Sequence, residues 1–160
     1  MSKSLFVEYR GQGFWAFDVI TSVLLKHLVD VAETRVIVHP WLGEIVQRWR
    51  VNTSLCGHFG VEFSDNWSDA QIDVVAGLFE EVCEALAARV EIPAEEIEAY
   101  QLLDGERGFT RGMAVVGTKA VTNLGRAIIS LLKGSLPPPP PGTWWWYGEE
   151  GQPGTIERRS

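Results

Sequence analysis

Residues 68–90, with the sequence SDAQIDVVAGLFEEVCEALAARV, carry the clearest helical pattern of the chain. Their apolar positions recur every three or four residues, which places them on one face of an α-helix. These positions are Ile72, Val75, Phe79, Val82, Leu86 and Val90. Ser68 and Gln71 have the spacing of a capping box, and Asp69 suits the positive end of the helix dipole. The pattern predicts a central helix of about 33 Å that packs through one face and shows carboxylates to water on the other.

The length and composition of the chain favour a single globular domain over residues 1–160. The chain is 46% hydrophobic and has a formal net charge of −7. A chain of this length can bury a core without a metal or a disulfide. The acidic balance argues against nucleic acid and anionic membranes as partners. The chain starts without the apolar segment of a signal peptide and has no run of about 18 apolar residues, so a cytoplasmic protein with no membrane contact is predicted, as a monomer or a dimer.

Further helices are expected on both sides of the central one. Apolar periodicity and capping residues indicate them at residues 14–31, from Pro40 to about residue 50, from Pro93 onward and at residues 118–133. Gly125, in the middle of the last one, suggests a close helix contact. A short strand is predicted at residues 5–9, and residues 34–38 are expected to be extended. The predicted fold is therefore mainly α: a compact bundle of about five helices, with extended N- and C-terminal segments that can pair as a small sheet.

Residues 135–160 form a tail of different composition that is expected to pack on this domain. Five consecutive prolines at residues 137–141 favour an extended polyproline II segment. In the run TWWWY at residues 143–147, alternation sends Trp144 and Trp146 to one side and Trp145 and Tyr147 to the other. Residues 155–157 can return as a partner strand. The tail either seals the core with its indoles or presents some of them to a partner.

No motif in the chain specifies a reaction. Cys56 and His58 lie two residues apart, but a catalytic Cys and His normally come from distant positions, so their adjacency adds little. His27, His39 and His58 lack the spacing of metal ligands. The glycines near residues 11–13 and 105–117 lack the lysine and hydroxyl of a phosphate-binding loop. No metal, no cofactor and no enzymatic activity are therefore predicted.

The acidic residues at positions 80–106 are more informative. This segment holds nine carboxylates and one arginine, a net charge of −8. It either forms a solvated face that keeps the protein soluble or a docking surface whose repulsion a basic partner would relieve. The predicted partner-binding residues are Glu80, Glu81, Glu84, Glu91, Glu95, Glu96, Glu98 and Asp104, together with Trp145 and Tyr147 of the tail.

Two stretches of the chain suggest a family. The opening FVEYRGQGFW at residues 6–15 and the ending WWYGEEG at residues 145–151 make the chain similar to the small bacterial immunity proteins of polymorphic toxin systems. That resemblance implies a cytoplasmic, non-enzymatic protein that binds and neutralises a cognate toxin, and it implies no contact residues. If the toxin is a nuclease with a basic cleft, the acidic helices would imitate phosphates. The alternatives are a small enzyme using Cys56 and His58, and an adaptor that binds through its Pro/Trp-rich tail.

Overall fold

A computed structural model describes residues 4–55, 60–100 and 112–159. The elements in chain order are β1 (Ser4–Tyr9), β2 (Gln12–Phe17), α1 (Asp18–Glu33), α2 (Leu42–Leu55), α3 (Asp69–Ala87), β3 (Glu91–Pro93), α4 (Ala94–Ala99), β4 (Val115–Gly117), α5 (Thr118–Leu132), β5 (Thr143–Tyr147) and β6 (Pro153–Glu157). The prediction of a mainly α bundle is wrong, because in the described ranges a four-stranded and a two-stranded sheet accompany the five helices, and 20% of the described residues are strand. The fold is mixed α/β.

Four strands form a mixed sheet in the order β1-β2-β5-β6. β1 and β2 form an antiparallel hairpin, and its two turn residues, Arg10 and Gly11, have φ angles of 49° and 84°, as in a type I′ turn. β5 runs parallel to β2, with Trp15 opposite Trp146, and β6 returns antiparallel to β5. The extended ends of the chain do pair, but in a larger sheet than expected.

The origin of the wrong fold class lies at residues 14–31, which the periodicity predicts as one helix. In the structure the first part of this run belongs to β2, and α1 begins only at Asp18. Phe14 and Ala16 are fully buried on one face of the sheet. Aromatic residues favour strands when neighbouring strands are present to pack against. An apolar run without polar interruptions fits a strand and a buried helix equally well.

The central helix is confirmed as α3. Ser68 Oγ accepts a hydrogen bond from the Gln71 N–H at 3.2 Å, and Gln71 Oε1 accepts one from the Ser68 N–H at 2.9 Å, which completes the capping box. Phe79 and Val75 are fully buried. Val90, expected on the apolar face, lies beyond the end of the helix and is 84% exposed.

α5 connects the sheet to the helical layer, since it packs against α3, α1 and strands β1, β2 and β5. The predicted close contact at Gly125 is confirmed: a Cβ built there would lie 2.6 Å from Cys83 Sγ and 3.5 Å from Leu24 Cδ1. The missing side chain therefore lets α5 approach α3 and α1 closely.

Three smaller expectations need correction. Residues 34–38 form a turn rather than an extended segment, because the Arg35 carbonyl accepts from the N–H groups of Val38 and His39 at 3.1 and 2.9 Å. α2 extends to Leu55, beyond the predicted end near residue 50. The helix that follows Pro93 is only six residues long, so the acidic segment does not form two long adjoining helices. No helix in the described ranges is long and apolar enough to cross a membrane.

Candidate protein-docking surface

The two faces of the four-stranded sheet have different surroundings. Val7, Phe14 and Tyr147 lie on the inner face, where α5 packs, and are buried. Alternation along each strand sends the intervening side chains to the other side. The register then aligns Phe6 with Trp15, Trp15 with Trp146, and Trp144 with Ile156. We call this second side the outer face, and its partly exposed aromatic residues are Phe6, Trp15, Trp144 and Trp146. Phe17 shares this side by its register with Ser4 but is buried.

Three of the outer-face rings, those of Phe6, Trp15 and Trp144, pack against one another, whereas Trp146 packs against the buried core. The Phe6 ring lies 5.1 Å from Trp15 at 61° and 5.1 Å from Trp144 at 78°, both edge-to-face contacts. Gly13 makes room for this ring, since a Cβ there would lie 2.7 Å from the Phe6 ring. All four aromatic residues keep part of their surface accessible. The arrangement is a fixed cluster of large rings with solvent on one side.

Charged groups border this cluster. The Arg158 guanidinium lies 3.7 Å from the centre of the Trp144 ring, and its Nε donates to the Thr143 carbonyl at 3.0 Å. Glu8 is exposed on β1 and shares the face of Phe6. Glu150 Oε2 lies beside the Trp146 indole edge, since both come within 2.8 Å of a Cβ built at Gly148. Carboxylates on two sides suit a partner surface that carries positive charge.

The predicted binding residues Trp145 and Tyr147 lie on the inner face. The predicted alternation along β5 is thus confirmed. Tyr147 is 9% exposed and its ring lies 4.8 Å from Phe14. Trp145 packs against the core, and its Nε1 donates to the Pro137 carbonyl at 2.8 Å. The tail is therefore part of the sheet. Its three tryptophans are all half-buried, and Trp144 and Trp146 are the two that lie on the outer face.

The structure distributes the predicted acidic residues over three elements: Glu80, Glu81 and Glu84 on α3, Glu91 on β3, and Glu95, Glu96 and Glu98 on α4. Asp104 lies outside the described residues. Glu96 is half-buried and the other six are exposed. Two of the seven are paired internally, Glu81 with Arg35 at 2.6 Å and Glu96 with Arg89 at 2.7 Å. Within the described ranges no ion pair involves the remaining five, which keep their negative charge toward solvent.

Glu96 belongs to a hydrogen-bonded chain that joins α1 to α4. Two bonds from Arg89, at 2.7 and 2.9 Å, and one from the Tyr100 hydroxyl, at 2.7 Å, hold the pKa of Glu96 down at about 2. His27 Nε2 lies 3.1 Å from the same hydroxyl. Since Tyr100 gives its proton to an ionised carboxylate, His27 Nε2 must be the donor in that contact. Burial, followed by the hydrogen bond to Glu96, raises the pKa of Tyr100.

The hydrogen-bonded chain that contains His27 predicts that the protein loses stability on mild acidification. Burial lowers the pKa of His27 from 6.5, against the opposing effect of the nearby carboxylates of Asp30 and Glu96. The unfolded chain therefore binds the proton more readily, and the free energy of unfolding should fall as the pH drops below about 6.5. In the variant His27→Gln, the glutamine amide can still donate a hydrogen bond to the Tyr100 hydroxyl, but it takes up no proton. The part of the fall in unfolding free energy that comes from His27 should therefore disappear. Urea unfolding at pH 7.5 and 5.5 measures both, and an equal fall in the two proteins would contradict the assignment.

The structure does not describe the site on which the enzyme hypothesis rests. Cys56 and His58 lie outside the described residues. Cys83 is a buried free thiol, and burial raises its pKa, which keeps it protonated and unreactive. In the described ranges, no three His, Cys, Asp or Glu side chains lie close enough together to hold a metal ion.

The binding residues predicted from the sequence do not include Phe6, Trp15, Trp144, Trp146 or Arg158. Alternation of side chains at residues 4–9 and 143–147 divides each strand into two faces. It does not indicate which face packs against a helix and which is left for a partner. Comparison with protein families, curated proteins and solved structures gave no match for this chain.

Proposed function

We propose that this chain is a non-catalytic, cytoplasmic immunity protein that blocks a cognate bacterial toxin domain by docking through the outer face of its sheet. The observation that carries the proposal is the cluster of Phe6, Trp15 and Trp144, whose rings pack edge-to-face and remain partly exposed on the face opposite α5. Trp and Arg are the residues most enriched among the energetic anchors of protein interfaces.

The rigidity of this surface supports a docking role. Each aromatic residue of the cluster is held in a hydrogen-bonded strand, and Arg158 is fixed by both its stacking on Trp144 and its bond to the Thr143 carbonyl. Side chains ordered before binding lose little conformational entropy when a partner covers them. Such a surface favours slow dissociation.

The acidic residues serve a different purpose in this proposal. Glu80, Glu84 and Glu95 are exposed and free of ion pairs within the described ranges. Together with the chain's net charge of −7, they attract a basic toxin domain over a distance of about one Debye length, roughly 8–10 Å. Their effect should appear in the association rate and vanish at high salt.

Growth of a bacterial host tests the proposal. The proposal predicts that a neighbouring reading frame encodes a large protein with a toxin-like C-terminal domain. This domain, expressed from an inducible promoter, is the probe. We expect this domain to stop growth, and co-expression of the present chain to restore it. The two purified proteins should form a complex that survives gel filtration.

Two results would overturn the proposal. One is a domain that arrests growth whether or not this chain is present. The other is relief of toxicity without a complex, with turnover at catalytic amounts of this chain, because an inhibitor that acts by binding must match its target in number. Titration of the toxin activity against the chain separates these cases.

A further inference from the structure

A second site, separate from the outer face, lies between α2 and the segment at residues 61–67. It is a cavity of about 310 Å³, at the lower end of the range of small-ligand pockets. Glu44 and Arg48, four residues apart on one face of α2, line one side together with Trp41, which directly precedes the helix. Glu62, Phe63 and Trp67 line the other side. Nothing in the proposed function uses this cavity.

Three aromatic rings form its apolar walls. Trp67 lies 6.2 Å from Trp41 at 65° and 6.1 Å from Phe63 at 59°. At such steep interplanar angles the rings are not stacked but form adjacent walls of the cavity. Trp67 is only 7% exposed and packs into the core, so this wall is rigid.

The carboxylate of Glu62 is held in place from behind. The buried Asn52 donates to Glu62 Oε2 at 3.1 Å, and Trp49 Nε1 donates to the Glu62 backbone carbonyl at 2.7 Å. The other oxygen, Glu62 Oε1, accepts a hydrogen bond from Arg48 Nη1 at 3.3 Å, and both side chains line the cavity. The second carboxylate, Glu44, lies 3.8 Å from the Arg48 guanidinium, and the Arg48 side chain is 56% exposed.

We infer that this cavity binds an alkylammonium group, which displaces the Arg48 guanidinium from Glu62 and contacts the aromatic walls. Two carboxylates against one guanidinium leave the cavity with a net negative charge, which disfavours anions. Aromatic walls attract cations through the negative faces of their rings. Arg48 is bound by long, exposed contacts and can move to solvent at small cost. The group can belong to a free methylated amine or to a lysine side chain of a bound peptide.

Isothermal titration of the full chain with choline tests this inference, with 3,3-dimethyl-1-butanol as the uncharged analogue of the same shape. We expect choline to bind at least tenfold more tightly than the alcohol. A short lysine peptide, compared with its trimethyllysine form, distinguishes the two sources of the ammonium group. Either source supports the site.

Three variants locate the binding. Arg48→Ala should tighten choline binding roughly tenfold, because it removes the competing cation, and Glu62→Gln should weaken it roughly tenfold. Glu98→Gln removes the same charge from α4 and is the matched control, with an expected change of less than about twofold. Trp41→Leu should also weaken binding, and the two polar variants carry the test if that protein does not fold.

Equal affinity for choline and the alcohol would overturn the inference, because the cavity would then be merely apolar. Equal effects of Glu62→Gln and Glu98→Gln would also overturn it, since the attraction would then come from the overall charge. So would the absence of binding of any ammonium probe to both the natural chain and Arg48→Ala.

Discussion

Replacing Trp15 and Trp144 by alanine should weaken binding of the toxin domain by several hundredfold, with roughly 30-fold for each substitution alone. Both rings contact Phe6 in the middle of the outer face. In an interface centred on these rings, each truncation removes contact area and leaves a gap that water can enter. The partly exposed positions of both side chains mean that the fold itself should survive. Surface plasmon resonance would measure the affinity, and circular dichroism the fold.

The association and dissociation rates from the same experiment distinguish the contribution of the outer face from that of the acidic residues. The Trp variants should act mainly on the dissociation rate, whereas neutralising Glu80, Glu84 and Glu95 should lower the association rate and lose its effect at about 0.5 M salt. Ile37→Ala is the matched control: Ile37 is a large apolar residue, 92% exposed, outside the sheet. An equal loss of affinity in Ile37→Ala and Trp144→Ala would argue against the outer face.

Gly125→Ala should lower the free energy of unfolding by about 2 kcal/mol, although alanine is the better helix former by about 1 kcal/mol. The new Cβ would lie 2.6 Å from Cys83 Sγ. Cys83 has little room to yield, because it is 3% exposed and its Sγ lies 3.6 Å from the Thr122 carbonyl that it contacts. The overlap must therefore push α3 and α5 apart. Urea unfolding followed by circular dichroism measures the change.

Cys83→Ala provides the control for this prediction. Alone, it should cost about 1 kcal/mol by leaving a small void. In the double variant, the Cβ of residue 125 enters the space that Sγ vacated, so the two losses should not add. If the double variant loses the sum of both, the strain does not come from this contact.

Local signals in the sequence were enough to identify the elements that are determined locally. The α3 capping box depends on Ser68 and Gln71, three residues apart, and the α5 contact depends on a single glycine. Lys26 and Asp30, four residues apart on one helix, have the spacing of an ion pair and form one at 3.1 Å. Each of these features was confirmed.

Features that depend on distant residues were not predictable. The parallel pairing of β2 with β5, through Trp15 and Trp146, joins the two ends of the chain. The pairing of Phe14 and Trp15 with β1 across a two-residue turn is local, and the sequence interpretation overlooked it. The pairing of Glu81 with Arg35 joins α3 to the turn after α1 and could not be anticipated from spacing. For the candidate site, alternation in β5 separated Trp144 and Trp146 from Trp145 and Tyr147. Only the position of α5 decides which pair is outward.

The indole N–H signals of the seven tryptophans, followed by ¹⁵N NMR as the toxin domain is added, test the docking surface most directly. We predict that the signals of Trp15, Trp144 and Trp146 shift or broaden, while those of Trp41, Trp49, Trp67 and Trp145 stay in place. Binding with the first three signals unchanged would contradict the account.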